Sequence, residues 1–119
     1  MRKKIIVSLL IVFVLILCGC IGSSGYDDLE ASVESDSIDL KITNENDYAW
    51  DNIFVELNGK YEFFFMSLCP GNTRVISLFD FSDKTGMSFL PDFQAVESVV
   101  IRANRPDGEI GTCSWAATD

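Results

Sequence analysis

The sequence of 119 residues contains no histidine. Every Ser-His-Asp or Cys-His nucleophilic arrangement is therefore excluded, as is every metal site that uses an imidazole ligand. Basic residues are also scarce, because nine lysines and arginines stand against 18 acidic residues and leave a formal net charge of -9. Nucleic-acid binding requires clustered lysine and arginine to neutralise phosphates. We therefore expect no nucleic-acid partner.

The apolar run near the start of the chain is short for a transmembrane helix. Residues 5–18 contain Ser8 as their single polar side chain, and three basic residues at positions 2–4 precede them. As a helix this run spans about 21 Å, whereas the hydrocarbon core of a bilayer is about 30 Å thick. A basic start, a short apolar run and small residues from Gly19 are typical of a secretory signal peptide. An uncleaved membrane anchor is the alternative, because a helix extended to Ile21 has a length of about 25 Å.

The leader ends in the four residues Leu17-Cys18-Gly19-Cys20. They resemble the lipobox of prokaryotic membrane lipoproteins, which are cleaved immediately before the cysteine. The resemblance implies a lipoprotein signal peptide over residues 1–19 and a lipid on the sulfur of Cys20. Two lipid chains on one cysteine suffice for stable anchoring. It also implies a location at the cell membrane, lipid-anchored and facing the extracytoplasmic side.

The stretch that follows Cys20 is rich in glycine, serine and acidic residues and poor in apolar ones. This composition is typical of a flexible tether. We therefore assign residues 20–36 to the lipidated cysteine and a flexible acidic linker. A short amphipathic helix from Tyr26 to Val33 is the alternative.

Residues 37–119 show the pattern of short antiparallel strands. Apolar and polar side chains alternate in Ile38–Thr43 and Ile53–Leu57, as in half-buried strands. Asn58-Gly59 is a strong hairpin signal and predicts a returning strand from Tyr61 to Met66. Three more strands are predicted at Thr73–Phe79, Ser98–Ala103 and Glu109–Trp115. We predict an all-β fold, a small antiparallel β-sandwich of about six to seven strands, preceded by a helical signal peptide and a flexible linker.

Two further features support a sandwich. The long connection from Asp80 to Gln94 carries aromatic residues that are expected to cap one end of the core. Ile42-Thr43-Asn44, followed by Asp47, Trp50, Asn52 and Leu57-Asn58, is similar to a pattern in small immunoglobulin-like or fibronectin-like domains of prokaryotic surface lipoproteins. The resemblance implies an immunoglobulin-like β-sandwich. The resemblance covers about 80 residues. Such a fold does not by itself define a function.

The four cysteines reduce to one pair if the leader is cleaved and Cys20 carries the lipid. Cys69 and Cys113 then remain, and outside the cytoplasm we expect them to form a disulfide. Such a bridge would stabilise the domain by about 4 kcal/mol. Two separate thiols or a redox pair are the alternative, although the Cys-x-x-Cys spacing is absent.

One acidic turn concentrates the oxygen donors that calcium prefers: Asn44, Glu45, Asn46, Asp47 and Asp51. Asp80 and Asp83 form a second acidic loop. The structural explanation is favoured, because Asn and Asp stabilise turns through bonds to the backbone and the calcium loop motif is absent. We therefore predict no metal ligands.

Aromatic residues suggest two binding surfaces. In Phe63-Phe64-Phe65 one ring must face away from the first buried face, where it could bind a partner. We expect a loop or strand to cover it instead. Trp50 and Trp115 could stack against a sugar ring, although burial in the core is the more common use of tryptophan in a sandwich.

Two glutamates are the candidates for enzymatic chemistry. Glu56 and Glu62 flank the predicted hairpin and could approach each other as glycosidase carboxylates do. A domain of this size leaves little room for a substrate cleft. We therefore predict no enzyme, no catalytic residues and no cofactor.

The sequence thus predicts a lipid-anchored cell-surface protein that acts as a binding or structural module. Its partners would be the membrane, through the lipid on Cys20, and an unidentified surface protein or glycan. A calcium-dependent or carbohydrate-binding surface module is the alternative. A small hydrolase that uses acidic residues is the third possibility.

Overall fold

The computed structural model describes residues 29–117, which form two antiparallel β-sheets. The seven strands are β1 (Ala31–Ser35), β2 (Asp39–Asn44), β3 (Trp50–Leu57), β4 (Tyr61–Leu68), β5 (Thr73–Ser77), β6 (Ser98–Asn104) and β7 (Ile110–Ala116). A single 3-10 turn, Leu78–Asp80, follows β5. The predicted all-β, immunoglobulin-like sandwich is confirmed. The predicted signal peptide, Cys20 and the first part of the predicted linker lie outside the described residues.

One sheet has three strands and the other has four. The three-stranded sheet has the order β1-β2-β5, and the four-stranded sheet has the order β4-β3-β6-β7. In a constant-type immunoglobulin domain the fourth strand lies beside the fifth. Here β4 pairs with β3 instead, so β4 and β7 are the two edges of the four-stranded sheet.

The core lies between the sheets and follows from the alternation of side chains along each strand. From Ile53 onward, the buried side chains of β3 are Ile53, Val55 and Leu57, at every second position. Successive side chains of a strand point to opposite faces, so this spacing places all three against the other sheet. Leu40 and Ile42 of β2 are likewise fully buried. The hydrophobic effect of this shared interior holds the two sheets together.

The hairpin between β3 and β4 forms where the sequence predicts it. Asn58 and Gly59 both have positive φ, at 55° and 68°, which a type I′ turn requires. The Asn58 side chain has a second role: its Nδ2 donates to the Ala95 carbonyl at 2.9 Å, and its Oδ1 accepts from the Glu97 amide at 2.7 Å. The turn therefore also fixes the end of the long connection before β6.

The long connection between β5 and β6 covers one end of the core, as predicted. Phe81 and Phe89 are fully buried. The Phe89 ring meets the Tyr61 ring edge to face, with centroids 5.2 Å apart, a favourable aromatic geometry. Phe93 is different, because 81% of its surface is exposed. The expectation that the aromatic residues of this segment cap the core is therefore confirmed for two of them and wrong for Phe93.

The predicted linker is shorter than the sequence suggested. Residues 31–35 form β1, and Leu29 and Ala31 are buried. The assignment of residues 29–36 to a flexible linker is therefore wrong, as is the alternative of a helix reaching Val33. The reason is that β1 is an edge strand with one face toward solvent. Its serine and acidic side chains occupy the exposed positions and hide the apolar alternation from Leu29 to Val33.

The strand directions define two ends of the sandwich. The Leu29 end contains Leu29, the loop at 45–49 and the turns at 69–72 and 105–109. The Leu29 amide donates to the Thr112 carbonyl at 3.1 Å and fixes the chain there. The Ala117 end contains the turns at 36–38 and 58–60, the connection at 78–97 and Ala117. Within residues 29–117, no helix has the length and apolar character needed to cross a bilayer.

Candidate binding site at the Ala117 end

A pocket of about 410 Å³ opens at the Ala117 end of the sandwich. Its apolar wall consists of Leu78, Pro91, Ala95, Val96, Trp115 and Ala117, and its polar wall consists of Ser35, Asp36, Ser37 and Gln94. Ligand pockets in proteins typically measure roughly 300–1,000 Å³ and combine an apolar lining with a few polar groups. The volume of this pocket lies within that range, and its lining combines apolar and polar residues.

The turn between β1 and β2 forms the polar side of the pocket, and Asp36 holds its shape. The Asp36 carboxylate accepts from the Ile38 amide at 2.9 Å and from the Asp39 amide at 2.8 Å. These two backbone bonds lower the pKa of Asp36 below its usual range. Because folding lowers this pKa, the ionised carboxylate stabilises the turn at pH values above the usual aspartate pKa. The stabilisation is lost as the pH falls through the pKa of the folded protein. At neutral pH the pocket therefore carries a negative charge.

The opposite wall belongs to the long connection and is fixed by hydrogen bonds. The Gln94 side chain contacts the Tyr61 hydroxyl at 3.3 Å through Oε1 and at 3.2 Å through Nε2. The backbone amide of Gln94 donates to the Leu90 carbonyl at 3.1 Å, and the backbone amide of Ala117 donates to the Glu97 carbonyl at 2.9 Å. The wall is therefore held to β4 and to the end of β7.

Trp115 is the aromatic residue of the pocket. It lies on β7, paired with Val99 of β6, and one part of it packs against the core while another part lines the pocket. Trp50 is fully buried, and its Nε1 donates to Asn46 Oδ1 at 2.9 Å. Trp50 lies at the Leu29 end. The two tryptophans therefore do not form one surface, and Trp115 alone is placed to contact a ligand.

Four exposed apolar side chains belong to the segments that form the pocket, and we call them the rim: Ile38, Phe79, Leu90 and Phe93. Each is next in the chain to a residue that lines the pocket. Sequence reasoning missed the rim, because Ile38 and Phe79 were assigned to the ends of predicted strands, whereas β2 begins at Asp39 and β5 ends at Ser77. Phe93 was expected in the core.

Acidic side chains accompany the rim and the pocket. Asp80 follows Phe79, Asp92 lies between Pro91 and Phe93, and Glu97 follows Val96, while Asp36 lines the pocket itself. All ten pocket-lining residues except Asp36 are uncharged. The Ala117 end is therefore an apolar surface bordered by negative charge.

In the acidic turn that was considered as a calcium site, Asn44, Glu45 and Asn46 use side-chain oxygen atoms for hydrogen bonds within the protein. The fully buried Asn44 donates to the Tyr48 and Leu68 carbonyls at 2.9 and 3.0 Å, and its Oδ1 accepts from the Asn46 amide at 2.8 Å. Asn46 Oδ1 accepts from the Glu30 amide and from Trp50. Glu45 accepts from the Ser32 hydroxyl. These contacts support the structural explanation for the turn.

The second acidic loop is also organised by its own hydrogen bonds. Asp83 Oδ1 accepts from the Thr85 hydroxyl at 2.7 Å, the Thr85 amide at 2.9 Å and the Met87 amide at 3.0 Å. These bonds, led by the Thr85 hydroxyl, lower the pKa of Asp83. In the part of the chain from Leu29 to Ala117, no group of three cysteine or acidic side chains could hold a metal ion.

The two glutamates considered for glycoside chemistry are direct partners across β3 and β4. Directly opposed residues have Cβ atoms about 4.5–5.5 Å apart, so the structure brings Glu56 and Glu62 together as predicted. They lie on the outer face of the four-stranded sheet, where Arg102 Nη1 is 3.9 Å from Glu56 Oε1. Neither glutamate lines the pocket described above.

The three consecutive phenylalanines divide between the two faces of β4. Phe63 and Phe65 face inward, and the Arg74 guanidinium lies 5.7 Å and 4.9 Å from their ring centroids, within cation-π range. Phe64 faces outward and is 53% exposed. The expectation that a loop or strand covers this ring is therefore wrong.

The predicted disulfide between Cys69 and Cys113 is not formed. Cys69 is a free, exposed thiol in the turn after β4, whereas Cys113 is buried in β7. β4 and β7 are opposite edges of the four-stranded sheet. Three strand spacings separate them, so they lie about 14 Å apart. A disulfide requires Cα atoms within about 7 Å. The number of residues between Cys69 and Cys113 in the sequence does not reveal that β3 and β6 lie between β4 and β7.

Comparison with known protein families finds no matching family, and comparison with curated proteins finds no match either. The proposals below therefore depend on the residues themselves and on their geometry.

Proposed function

We propose that the protein is a lipid-anchored module on the extracytoplasmic side of a cell membrane, and that it binds a partner through its Ala117 end. The anchor is the part of the proposal that derives from the sequence, through the resemblance of Leu17–Cys20 to a lipobox. The binding role derives from the pocket and the rim. One observation connects the two parts: the chain enters the sandwich at the end opposite the pocket.

The direction of β1 shows where the chain enters the sandwich. Leu29 is fixed at one end of the sandwich by its bond to Thr112, and β1 runs from there to Ser35 at the pocket. Cys20 precedes Leu29 by nine residues, which span at most about 30 Å when extended. A lipid on Cys20 would therefore attach the domain by its Leu29 end. The pocket would then face away from the membrane, where a partner can reach it.

The charge of the domain agrees with display above a membrane. Residues 29–117 contain 15 acidic and six basic side chains. An anionic membrane surface repels a domain of this charge. The negative charge therefore supports a domain that is held by its lipid and otherwise kept off the bilayer.

The test is to replace Cys20 by serine in the producing cells and to follow the protein by membrane fractionation. We expect the unaltered protein to stay with membranes washed at high salt, and Cys20→Ser to be lost from them almost completely. The reason is that the serine hydroxyl cannot form the thioether that attaches the lipid. Cys69→Ser is the matched control, since Cys69 is a free surface thiol, and it should remain with the membranes.

Two outcomes would contradict the proposed anchor. Retention of Cys20→Ser on washed membranes would show that the apolar leader itself holds the protein as an uncleaved anchor. Equal loss of both variants would show that the loss from the membrane is not specific to the Cys20 sulfur.

A further inference from the structure

We infer that the pocket and its rim bind a basic segment of a partner polypeptide, which inserts one large apolar side chain beside Trp115. The inference rests on the proposed binding role of the Ala117 end and specifies the chemistry of the partner. It does not depend on how the domain is attached to the membrane.

The pocket wall fits an apolar anchor. Pro91, Val96 and Trp115 present aliphatic and aromatic surface to a space of about 410 Å³, which is larger than a single large apolar side chain. Large apolar side chains buried in such pockets supply most of the binding energy of protein interfaces. Ser35 and Ser37 add two hydroxyl groups to the polar wall, whereas the Gln94 side chain is held by the Tyr61 hydroxyl.

The rim extends the apolar contact beyond the pocket. Ile38, Phe79, Leu90 and Phe93 are between 44% and 81% exposed. Exposed apolar side chains grouped around a pocket are typical of protein interaction sites. A sugar offers hydroxyl groups to such a rim, and the four side chains have no hydrogen-bonding groups to receive them. The rim therefore favours a polypeptide over a carbohydrate.

The charges around the site select a basic segment. Asp36 lines the pocket, and Asp80, Asp92 and Glu97 flank the rim and the wall. The lysines at this end, Lys60 and Lys84, do not line the pocket, and Lys60 lies over the Tyr61 ring at 5.4 Å. Charge complementarity across an interface gives specificity and accelerates association. Lysine or arginine on either side of the apolar anchor would meet this negative border.

The experiment is a selection from a phage-displayed random-peptide library on the detergent-solubilised full chain, with a glycan array run in parallel. We expect the enriched peptides to share one large apolar residue with lysine or arginine near it. Synthetic copies should bind the unaltered chain, and their affinity should fall as salt is added, because salt screens exposed charges.

Variants at exposed positions assign the binding to this site without disturbing the core. Ala95→Trp fills the pocket and Phe93→Ser removes the most exposed rim side chain, and each should weaken peptide binding about tenfold or more. Phe64→Ser is the matched control, because Phe64 is a 53% exposed phenylalanine on the outer sheet face. It should bind as the unaltered chain does.

Several results would overturn the inference. Selected peptides without basic residues would remove the role of the acidic border, and peptide binding that Ala95→Trp and Phe93→Ser leave unchanged would place the site elsewhere. A selection that yields no binding peptide would also contradict it. Glycan signals that these two variants abolish would assign the pocket to a carbohydrate. None of these results depends on the lipid, so they leave the outcome of the Cys20→Ser experiment intact.

Discussion

Replacing Trp50 by alanine is expected to lower the free energy of unfolding by about 3–5 kcal/mol. Trp50 begins β3 and is fully buried, so the substitution leaves a large cavity between the sheets. It also removes the indole N–H, whose Nε1 donates to Asn46 Oδ1 at 2.9 Å. Urea denaturation followed by far-ultraviolet circular dichroism measures the change.

Trp50→Phe separates the two contributions of this residue. Phenylalanine keeps most of the buried apolar surface and loses the indole N–H, so we expect a smaller loss of about 1–2 kcal/mol. A loss below about 1 kcal/mol for Trp50→Ala would show that this end of the core is not packed as described.

Replacing Asn44 by leucine is expected to cost about 2–4 kcal/mol of stability. Asn44 is polar and fully buried, and its side chain bonds to the Tyr48 and Leu68 carbonyls and to the Asn46 amide. Leucine has a similar size, so the cost arises from three backbone groups left without this partner. Thermal and urea unfolding of the variant give the difference.

The control for this substitution is Asn72→Leu. Asn72 is an exposed residue of the turn that follows β4, and the same change of side chain there should alter the free energy of unfolding by less than about 0.5 kcal/mol. Equal stability of Asn44→Leu and the unaltered protein would contradict the role assigned to Asn44. In that case the turn would hold its shape through the backbone alone.

The strands were predictable where one face is buried and the other solvated. The alternation at Ile38–Thr43 and Ile53–Leu57 and the turn at Asn58-Gly59 have local causes, namely the two-residue period of a strand and the positive φ of a tight turn. β1 was missed because its polar positions resemble a linker. A composition average over 15 residues conceals an alternation that is only five residues long.

The candidate site was predictable only in part. Trp115 was recognised as a residue that could bind a ligand, but the pocket depends on segments that are far apart in the chain, including the turn at Asp36 and the wall at Pro91–Val96. Their meeting is a result of sheet order and of the Asn58 contacts to the long connection. No local pattern shows either. The same reason explains the wrong pairing of Cys69 with Cys113.

The chemistry of Cys20 is the point on which the account depends most. The chain enters the described domain beside β7, since the Leu29 amide bonds to the carbonyl of Thr112, the neighbour of Cys113. An unlipidated Cys20 would therefore have a second cysteine within reach of its tether. Lipid attachment and disulfide formation are alternative uses of the same sulfur, and they differ in mass.

The most direct measurement is the intact mass, under non-reducing conditions and after thiol alkylation, of the protein extracted from its native membrane fraction. A lipid anchor at Cys20 predicts a chain that begins at Cys20, carries the added mass of a lipid and is alkylated at Cys69. A full-length chain without lipid would contradict it and would identify the leader as an uncleaved anchor. A chain without lipid in which a disulfide joins Cys20 to Cys113 would contradict it equally, because no sulfur would remain to hold the domain at the membrane.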